Sequence, residues 1–308
     1  MIKNWLHIFL FQIKNNKLFT TLNVLGLSIG IAGLIFAILY WNDEQSYNDW
    51  NPEKDKVFQS ISQVSKDMVW ASNVAAFEPY FKKSFPELEV YCYLENWYYE
   101  EIVQYKNKKE ILRITDAQNT FFEFFPFNFS KGTAKTALKD NNAIAISEDA
   151  AARLFGSDDP MGKEVRYSGR TLVVRGVYTI PGKSSMAPMA VTNLIEPKLK
   201  ENANHWGNFN HGLLLKFKNP ADKDKVISRM EKILFENRAV KWAKDEGITL
   251  EEWIKKNGSE STGIILEPLA NARLHSLVDG YAEGRGNYQF LLIMVGLSIL
   301  ILILSIVN

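Results

Sequence analysis

Two uncharged, apolar runs near the ends constrain this 308-residue chain more than any other feature. The first extends from Leu18 to Trp41, and the second begins at Phe290 and continues to the end of the sequence. A helix needs about 20 apolar residues to cross a hydrocarbon core about 30 Å thick, and both runs meet or approach that length. The stretch between them is charged and aromatic. The pattern therefore predicts a large water-exposed domain held between two transmembrane helices.

The predicted organisation has four parts. These are an amphipathic helix over residues 1–17, a first transmembrane helix over 18–42, a central domain over 43–287, and a second transmembrane helix over 288–308.

The first apolar run is longer than the 7–15 residues of a cleavable signal core, and no small-x-small cleavage pattern precedes the polar turn at 42–44, so an uncleaved anchor is favoured. The second helix ends flush with the sequence. We expect it to be truncated and the chain to be the front part of a longer membrane protein.

Basic residues near the first apolar run predict its orientation. Lys3, Lys14 and Lys17 precede the run, whereas acidic residues such as Asp43 and Glu44 follow it. Lysine and arginine close to a span favour the cytoplasmic side, while acidic residues say little. The N-terminus is therefore predicted to be cytoplasmic, with the central domain outside the cytoplasmic membrane.

Residues 1–17 form a segment of their own. Polar residues and lysines separate its apolar residues, which recur at helical spacing: Ile2, Trp5, Leu6, Phe9 and Ile13. Such a helix is suited to lie in the membrane interface, in contact with lipid. A basic leader with no role beyond topology is the alternative.

Small residues in the first apolar run predict a helix-packing face. Gly26 and Gly30 form a G-x-x-x-G pattern, and Gly33 follows. Small residues allow helix backbones to approach closely in a membrane, although this pattern is also common by chance. Neither apolar run contains an ionisable residue, which argues against an ion or proton pathway through the two helices.

Composition and motifs exclude several classes of function. The formal net charge of +1 gives no basic footprint for nucleic acid, and a single cysteine, Cys92, excludes an internal disulfide and a multi-cysteine metal site. Residues 156–163 resemble a phosphate loop, but the glycine spacing is one residue too long and Glu164 replaces the magnesium-binding hydroxyl. His205 and His211 lack a nearby third ligand for zinc. We therefore predict that the chain has no catalytic, cofactor-binding or metal-binding residues and that it is not an enzyme.

The central domain is predicted to be α+β, as a mixed α/β domain with two subdomains. Strands are expected at 56–62, within 89–105, and at 111–116, 213–217 and 264–269, with a hairpin at 165–178 turned at Ser168 and Gly169. Helices are expected at 72–85, 222–244 and 248–256. The phenylalanines between 121 and 129 indicate core packing rather than a ligand cage.

One short helix has unusually clear boundaries. Ser147 can cap its N-terminus, Glu148 and Asp149 occupy its first turn, and Gly156 can supply a left-handed exit. These choices match the backbone needs and the dipole of a helix over 148–155.

The region around that helix resembles a known family. The residues that carry the resemblance are Gly132, Ala137, Leu138, Ile144, Ile146, Ser147, Ala151 or Ala152, Leu154, Phe155, Gly156, Pro160, Gly162, Lys163, Gly169, Val174, Gly176, Val177, Pro181, Ser184 and Ser185. They are similar to the periplasmic core domain of MacB/FtsX-type ABC-transporter permeases. The resemblance is strongest over 120–185, and the order of span, large domain and span agrees with it.

The resemblance implies a permease subunit of the inner membrane that passes no substrate through a channel of its own. In this family a partner ABC ATPase moves an extracytoplasmic domain by mechanotransmission, for efflux or export, lipoprotein trafficking or control of cell-wall hydrolases. Expected partners are that ATPase, a second permease in a homo- or heterodimer, and a periplasmic adaptor with an outer-membrane channel. The motif residues are then structural. No ATPase signature is present.

Two other interpretations remain open at this point. A membrane-anchored sensor would bind a ligand outside the membrane and signal through its second helix. An anchored envelope enzyme would require a catalytic set that the sequence does not display.

Overall fold

The structure is a computed structural model, and it describes residues 5, 11, 13–65, 67–257 and 263–307. The predicted interfacial helix over 1–17 lies largely outside the described residues. The chain divides into two compact units, one of residues 1–46 with 286–308 and one of residues 47–285. The first contains the two long helices, and the second is called the outer domain here.

The elements are numbered in chain order. The helices are α1 (Lys17–Gln45), α2 (Glu78–Ser84), α3 (Phe121–Phe124), α4 (Glu148–Phe155), α5 (Ile195–Glu201), α6 (Lys223–Phe235), α7 (Lys241–Asp245), α8 (Leu250–Asn257) and α9 (Tyr288–Val307). The strands are β1 (Val57–Ser65), β2 (Met68–Trp70), β3 (Asn73–Val74), β4 (Leu88–Leu94), β5 (Tyr99–Tyr105), β6 (Lys108–Asp116), β7 (Asn128–Gly132), β8 (Ala143–Ser147), β9 (Glu164–Tyr167), β10 (Arg170–Thr179), β11 (Ala190–Thr192), β12 (Phe209–Phe217) and β13 (Gly263–Pro268).

Helices α1 and α9 are both long and apolar enough to cross a membrane. Their outward side chains are large and apolar, as at Leu18 and Ile306, which are 76% and 75% exposed. A water-facing helix would carry polar residues there, so this surface is suited to lipid.

The outer domain contains two sheets, each belonging to one lobe. Lobe A has a six-stranded sheet in which β13, β1, β12 and β3 are neighbours, β2 pairs with β1, and β4 pairs with β12. Lobe B has a seven-stranded sheet in the order β7-β10-β8-β11-β6-β5-β9. Because β9 pairs with β10 as well as with β5, the lobe B sheet curls back on itself. The predicted α+β fold is confirmed.

Alternation along the strands buries both faces of the lobe A sheet. Tyr93 packs into a core beneath helix α6, whereas its neighbours Cys92 and Leu94 point to the opposite face. Side chains alternate between the two faces of a strand, so such a strand has no polar side. Burial raises the pKa of the Cys92 thiol to about 12.

An aromatic layer separates the two lobes. It combines side chains of lobe A, of lobe B and of the segment around α3, where Phe121, Phe122, Phe124 and Phe125 are at most 2% exposed. Phe127 stacks on Tyr178 of β10 with ring centroids 5.2 Å apart. The core assignment for the phenylalanine-rich segment is confirmed, and the core that it fills lies between the sheets.

A buried ionic cluster lies where the chain passes between the lobes. Lys198 Nζ of α5 lies 3.1 Å from both Glu95 Oε1 and Asp116 Oδ2, and the two acidic residues are 2% and 4% exposed. Burial opposes ionisation of Glu95, but neighbouring His211 and Lys198 outweigh it and lower the pKa of that carboxyl. Removing one member of such a cluster strands the others without a partner in low dielectric.

Two predicted helices differ from the structure. The segment 72–85 begins with strand β3 and a 3-10 turn (Ala75–Phe77), and only Glu78–Ser84 is α-helical, because Asn73 and Val74 pair with β12 instead. The segment 222–244 is interrupted by a π-turn (Glu236–Val240) between α6 and α7. The hairpin is confirmed as β9 and β10, with positive φ at Ser168 and Gly169.

Helix α4 has the predicted bounds. Ser147 Oγ accepts a hydrogen bond from the Ala150 amide at 3.2 Å, and Gly156 has φ +61°. Its ψ of −115° lies outside the left-handed helical region that was expected, and only glycine adopts this combination readily.

We expect Gly156→Ala to lower the free energy of unfolding of the outer domain by about 1–3 kcal/mol, because alanine is strained in this conformation. A Cβ at Gly156 meets nothing within 4 Å, so the cost is one of backbone conformation alone. Denaturant unfolding of the full chain measures it. Gly207→Ala is the control, since a Cβ there makes ordinary contacts and φ is not positive. Equal stability of the two variants would contradict the assigned conformation.

Candidate functional site at the junction of the domain ends

Three glycines of α1 face α9 within the helix unit. A Cβ added at Gly30 would lie 2.8 Å from Leu302 Cδ2, and one at Gly33 would lie 2.6 Å from Ser298 Oγ. A Cβ at Gly26 would overlap the Ser305 hydroxyl. The absence of side chains at these positions is what allows the backbones to approach.

Two serine hydroxyls of α9 are satisfied within their own helix. Ser298 Oγ donates to the Met294 carbonyl at 2.8 Å, and Ser305 Oγ donates to the Ile301 carbonyl at 2.7 Å. An unsatisfied hydroxyl would be costly in lipid. At one end of the pair, Trp41 and Tyr288 lie with ring centroids 6.0 Å apart, and such aromatic residues are typical of a membrane–water interface.

Within the outer domain, one loop of lobe B holds the segment that begins the domain. This junction loop comprises residues 181–187. Asn48 Nδ2 donates to Ser185 Oγ at 2.7 Å, and Asn48 Oδ1 accepts from the Ser185 amide at 2.9 Å. The Asn48 amide donates to the Lys183 carbonyl at 2.8 Å. Asn48 and Ser185 are each 1% exposed, so these bonds form in low dielectric.

A tryptophan adds to the same attachment. Trp50 Nε1 donates to the Lys183 carbonyl at 2.9 Å, and a Cβ added at Gly182 would lie 3.1 Å from the Trp50 ring. The next residue, Asn51, donates from Nδ2 to the Phe124 carbonyl at 2.8 Å. Residues 48–51 are thus bonded to both the junction loop and the interlobe aromatic layer.

The segment that ends the outer domain is bound to the same loop. The Glu283 amide donates to the Ser185 carbonyl at 3.2 Å. Glu283 Oε1 accepts from Tyr98 Oη at 2.9 Å and from Arg113 Nη1 at 3.1 Å. Burial, with a smaller contribution from Glu283, raises the pKa of Tyr98.

Contacts of Tyr98 and Arg273 close the junction. Tyr98 Oη accepts from the Ala187 amide at 2.5 Å, so the same phenol touches the junction loop and Glu283. The Arg273 guanidinium lies 4.2 Å from the Tyr47 ring centroid and donates to the Glu283 and Gly284 carbonyls at 3.2 and 3.3 Å. The first and last segments of the outer domain are therefore fastened to each other and to one loop.

Metal-ligating side chains are dispersed through the described residues. Among them, no group of three or more histidine, cysteine, aspartate or glutamate side chains is placed to hold a metal ion. His205 is exposed, whereas His211 is buried beside Glu95 with 3.7 Å between Nδ1 and Oε1.

Comparison with protein-family models gives one match, to the MacB-like periplasmic core domain, over residues 20–233. The chain belongs to this family. The resemblance to MacB/FtsX-type permeases is thereby confirmed. A comparison with curated proteins gives no match.

Solved structures similar to the MacB-like chain are themselves domains of transport proteins. A domain of a predicted permease protein from Porphyromonas gingivalis is 21% identical, with a TM-score of 0.50 over 61% of this chain and 88% of that one. The extracellular domain of the noncanonic ABC-type transporter YknZ from Gram-positive bacteria is 15% identical, with a TM-score of 0.42 over 59% of this chain and 94% of that one. The periplasmic region of MacB from Actinobacillus actinomycetemcomitans is 13% identical, with a TM-score of 0.43 over 60% of this chain and 87% of that one.

Most motif residues of the MacB-like domain support lobe B rather than the junction. Leu154 and Phe155 of α4 are buried in the lobe B core, and Phe155 lies 4.4 Å from the Tyr105 ring. The Gly162 amide donates to the Val174 carbonyl at 2.9 Å, and Pro160 beside it is buried.

Glycine 176 allows β7 and β10 to approach, because a Cβ there would lie 2.6 Å from the Phe129 ring. Of the predicted motif residues, Pro181, Ser184 and Ser185 belong to the junction loop, and Ser184 Oγ accepts from the Met186 amide at 3.3 Å.

Sequence reasoning missed the partners of Ser185. Asn48 and Glu283 read as ordinary polar residues beside the apolar runs, and Tyr98 as part of a strand. Asn48 has φ +62°, a conformation that asparagine tolerates better than most residues. No local sequence pattern predicts this conformation.

We expect a disulfide to form between Gly26→Cys and Ser305→Cys. The Cβ atom at Gly26 would lie 3.5 Å from Ser305 Cβ, within the range for disulfides. Mass spectrometry of the oxidised, digested protein identifies the linked peptides. Gly26→Cys with Leu304→Cys is the control, since Leu304 is 59% exposed on the outer surface. Equal cross-linking of both pairs would show that the glycine face is not the packing face.

We expect Asn48→Ala to lower the free energy of unfolding of the outer domain by about 2–4 kcal/mol, since buried hydrogen bonds are lost and alanine is strained at positive φ. A double-mutant cycle with Ser185→Ala, followed by denaturant unfolding of the full chain, should give a coupling energy of about 1–2 kcal/mol. Asn107→Ala, in an exposed turn, should change stability little. Strict additivity of the two junction changes would show that the contact contributes nothing.

Proposed function

We propose that this chain acts in the membrane subunit of an ABC transporter, and that it converts ATP hydrolysis by a separate ATPase into movement of its outer domain. Family membership supports a permease component with a MacB-like periplasmic domain. The proposal adds the coupling, and it places the N-terminus in the cytoplasm and the outer domain in the periplasm, as the lysines before α1 predict.

The observation that carries the proposal is the closed junction. The segment leading from α1 and the segment leading to α9 are both bonded to residues 181–187. Movement of either helix along the membrane normal or in its plane then pulls on lobe B through these hydrogen bonds, of which those between Asn48 and Ser185 are buried. A domain joined by slack linkers would absorb such movement, because a flexible loop of several residues extends at little free-energy cost.

The helix pair supports the same proposal. The glycine face brings α1 and α9 into direct contact, and charged substitution at Gly26 or Gly30 would separate them. Neither apolar run offers an ionisable group for a transported ion, which fits a subunit that moves a domain instead of lining a pore. Efflux or export is the expected use of the movement, with a second permease and an adaptor as further partners.

The test inserts slack beside the junction. An insertion of four residues, all glycine or serine, between Arg285 and Gly286 should leave ATP hydrolysis by the co-purified ATPase intact. It should abolish ATP-dependent movement of the outer domain. Labels at Lys135→Cys in lobe B and Lys223→Cys in lobe A, both exposed positions, report the distance between the lobes. The subunit is used together with its ATPase in lipid nanodiscs.

The same insertion between Lys106 and Asn107 is the control, because it extends an exposed turn between β5 and β6. Movement should persist in that variant. An unchanged distance with and without ATP in the unmodified subunit, or the absence of any co-purifying ATPase, would overturn the proposal.

A further inference from the structure

Lobe A contains a cleft that the mechanical role leaves unused. It lies between α2, the segment that connects α5 to β12, and the helical stretch from α6 to α7, and its volume is about 500 Å³. Ligand sites in proteins typically have volumes of about 300–1,000 Å³. The cleft is therefore large enough for a small organic molecule.

One wall of the cleft is aromatic and rigid. Trp206 is 8% exposed, and its ring lies against Tyr80 and Phe77 with centroids 5.7 and 5.6 Å apart. Pro79 and Ala76 extend the apolar surface. Rings fixed by their neighbours lose little conformational entropy when a flat apolar group packs against them.

The polar lining is cationic and contains no carboxylate. Lys83 and Lys241 line the cleft, together with the amides of Asn204 and Asn237 and the hydroxyl of Ser84. Among the described residues, neither lysine has a carboxylate oxygen within 4 Å, although Lys82 on the same helix pairs with Glu78 at 3.8 Å. Two ammonium groups without a protein counterion favour an anion between them.

A backbone irregularity positions one of the amides. The π-turn Glu236–Val240 contains Asn237, whose Nδ2 donates to the Ile233 carbonyl at 2.9 Å and to Tyr80 Oη at 3.4 Å. Turns of this kind are rare and occur frequently at functional sites. The turn ends directly before Lys241, so it sets the register of that lysine as well.

From this lining we propose that the cleft binds a small organic anion, a carboxylate or phosphate attached to an apolar body. The lysines and the Asn204 amide would hold the anionic group, and the wall of Trp206 and Tyr80 would pack against the body. The Asn237 amide already donates to Ile233 and Tyr80, so its role is to hold the Tyr80 part of that wall. This site is independent of the proposed mechanical function, because no residue of the junction contributes to it.

The probe is 2-naphthoate, titrated by calorimetry into the full chain in phosphatidylcholine nanodiscs, with empty nanodiscs subtracted. Lys83→Gln combined with Lys241→Gln should weaken binding about tenfold or more, as the loss of two charge-assisted contacts implies. Lys82→Gln combined with Lys244→Gln removes the same charge from the same two helices outside the cleft, and it should leave the affinity within about twofold.

Three outcomes overturn the site: no saturable binding by the unmodified chain, equal loss in both double variants, or equal binding of the neutral 2-naphthamide. Unchanged thermal unfolding of both variants shows that the comparison concerns binding alone. Nanodiscs that also contain phosphatidylglycerol distinguish the source of the anion. If that lipid competes with 2-naphthoate, the ligand is a lipid headgroup. If it does not compete, the ligand is a soluble molecule. Either result presupposes a working anion site.

Discussion

The organisation of the outer domain depends on the hydrogen bonds between Asn48 and Ser185. These residues are separated by 137 positions in the sequence, and the bonds join the first segment of the domain to a loop of lobe B. They are buried, so water cannot compete for them, and each partner would be left unsatisfied if they broke. Because Glu283 binds the same loop, the chain enters and leaves the domain at one place. Tension applied at either end is thus delivered to the same few atoms.

The two lobes have separate sheets and a shared core. Their sheets are distinct, and the aromatic layer between them is apolar and non-directional, which permits small sliding movements more readily than a hydrogen-bonded sheet would. Lys198 opposes this freedom, because its bonds to Glu95 and Asp116 join α5 of lobe A to the strand end at Asp116 in lobe B. The interface combines an adaptable layer with directional contacts such as this cluster and the backbone bond from Glu95 to Asp116, an arrangement suited to a limited set of relative positions.

Local signals in the sequence predicted local structure well. Ser147 and Gly156 delimit α4 because capping and positive φ are decided by a few neighbouring atoms, and the apolar runs of α1 and α9 are decided by composition alone. The segment 72–85 shows the limit of such reasoning, since Asn73 and Val74 are recruited into the sheet by β12, more than 130 residues away in the sequence. The junction escaped prediction for the same reason. Its polar residues are ordinary in isolation and acquire their role only through pairing across the whole domain.

The location of Cys92 has a practical consequence. Its thiol is fully buried on the face of the lobe A sheet that meets the aromatic layer, and burial suppresses its ionisation. A maleimide reacts with the thiolate, so the resting protein is inert toward alkylating reagents and dyes can be attached at engineered surface positions without removing the native sulfur. Modification of the native sulfur then indicates that solvent has entered between the lobes. This single atom can therefore serve as a chemical reporter of their separation.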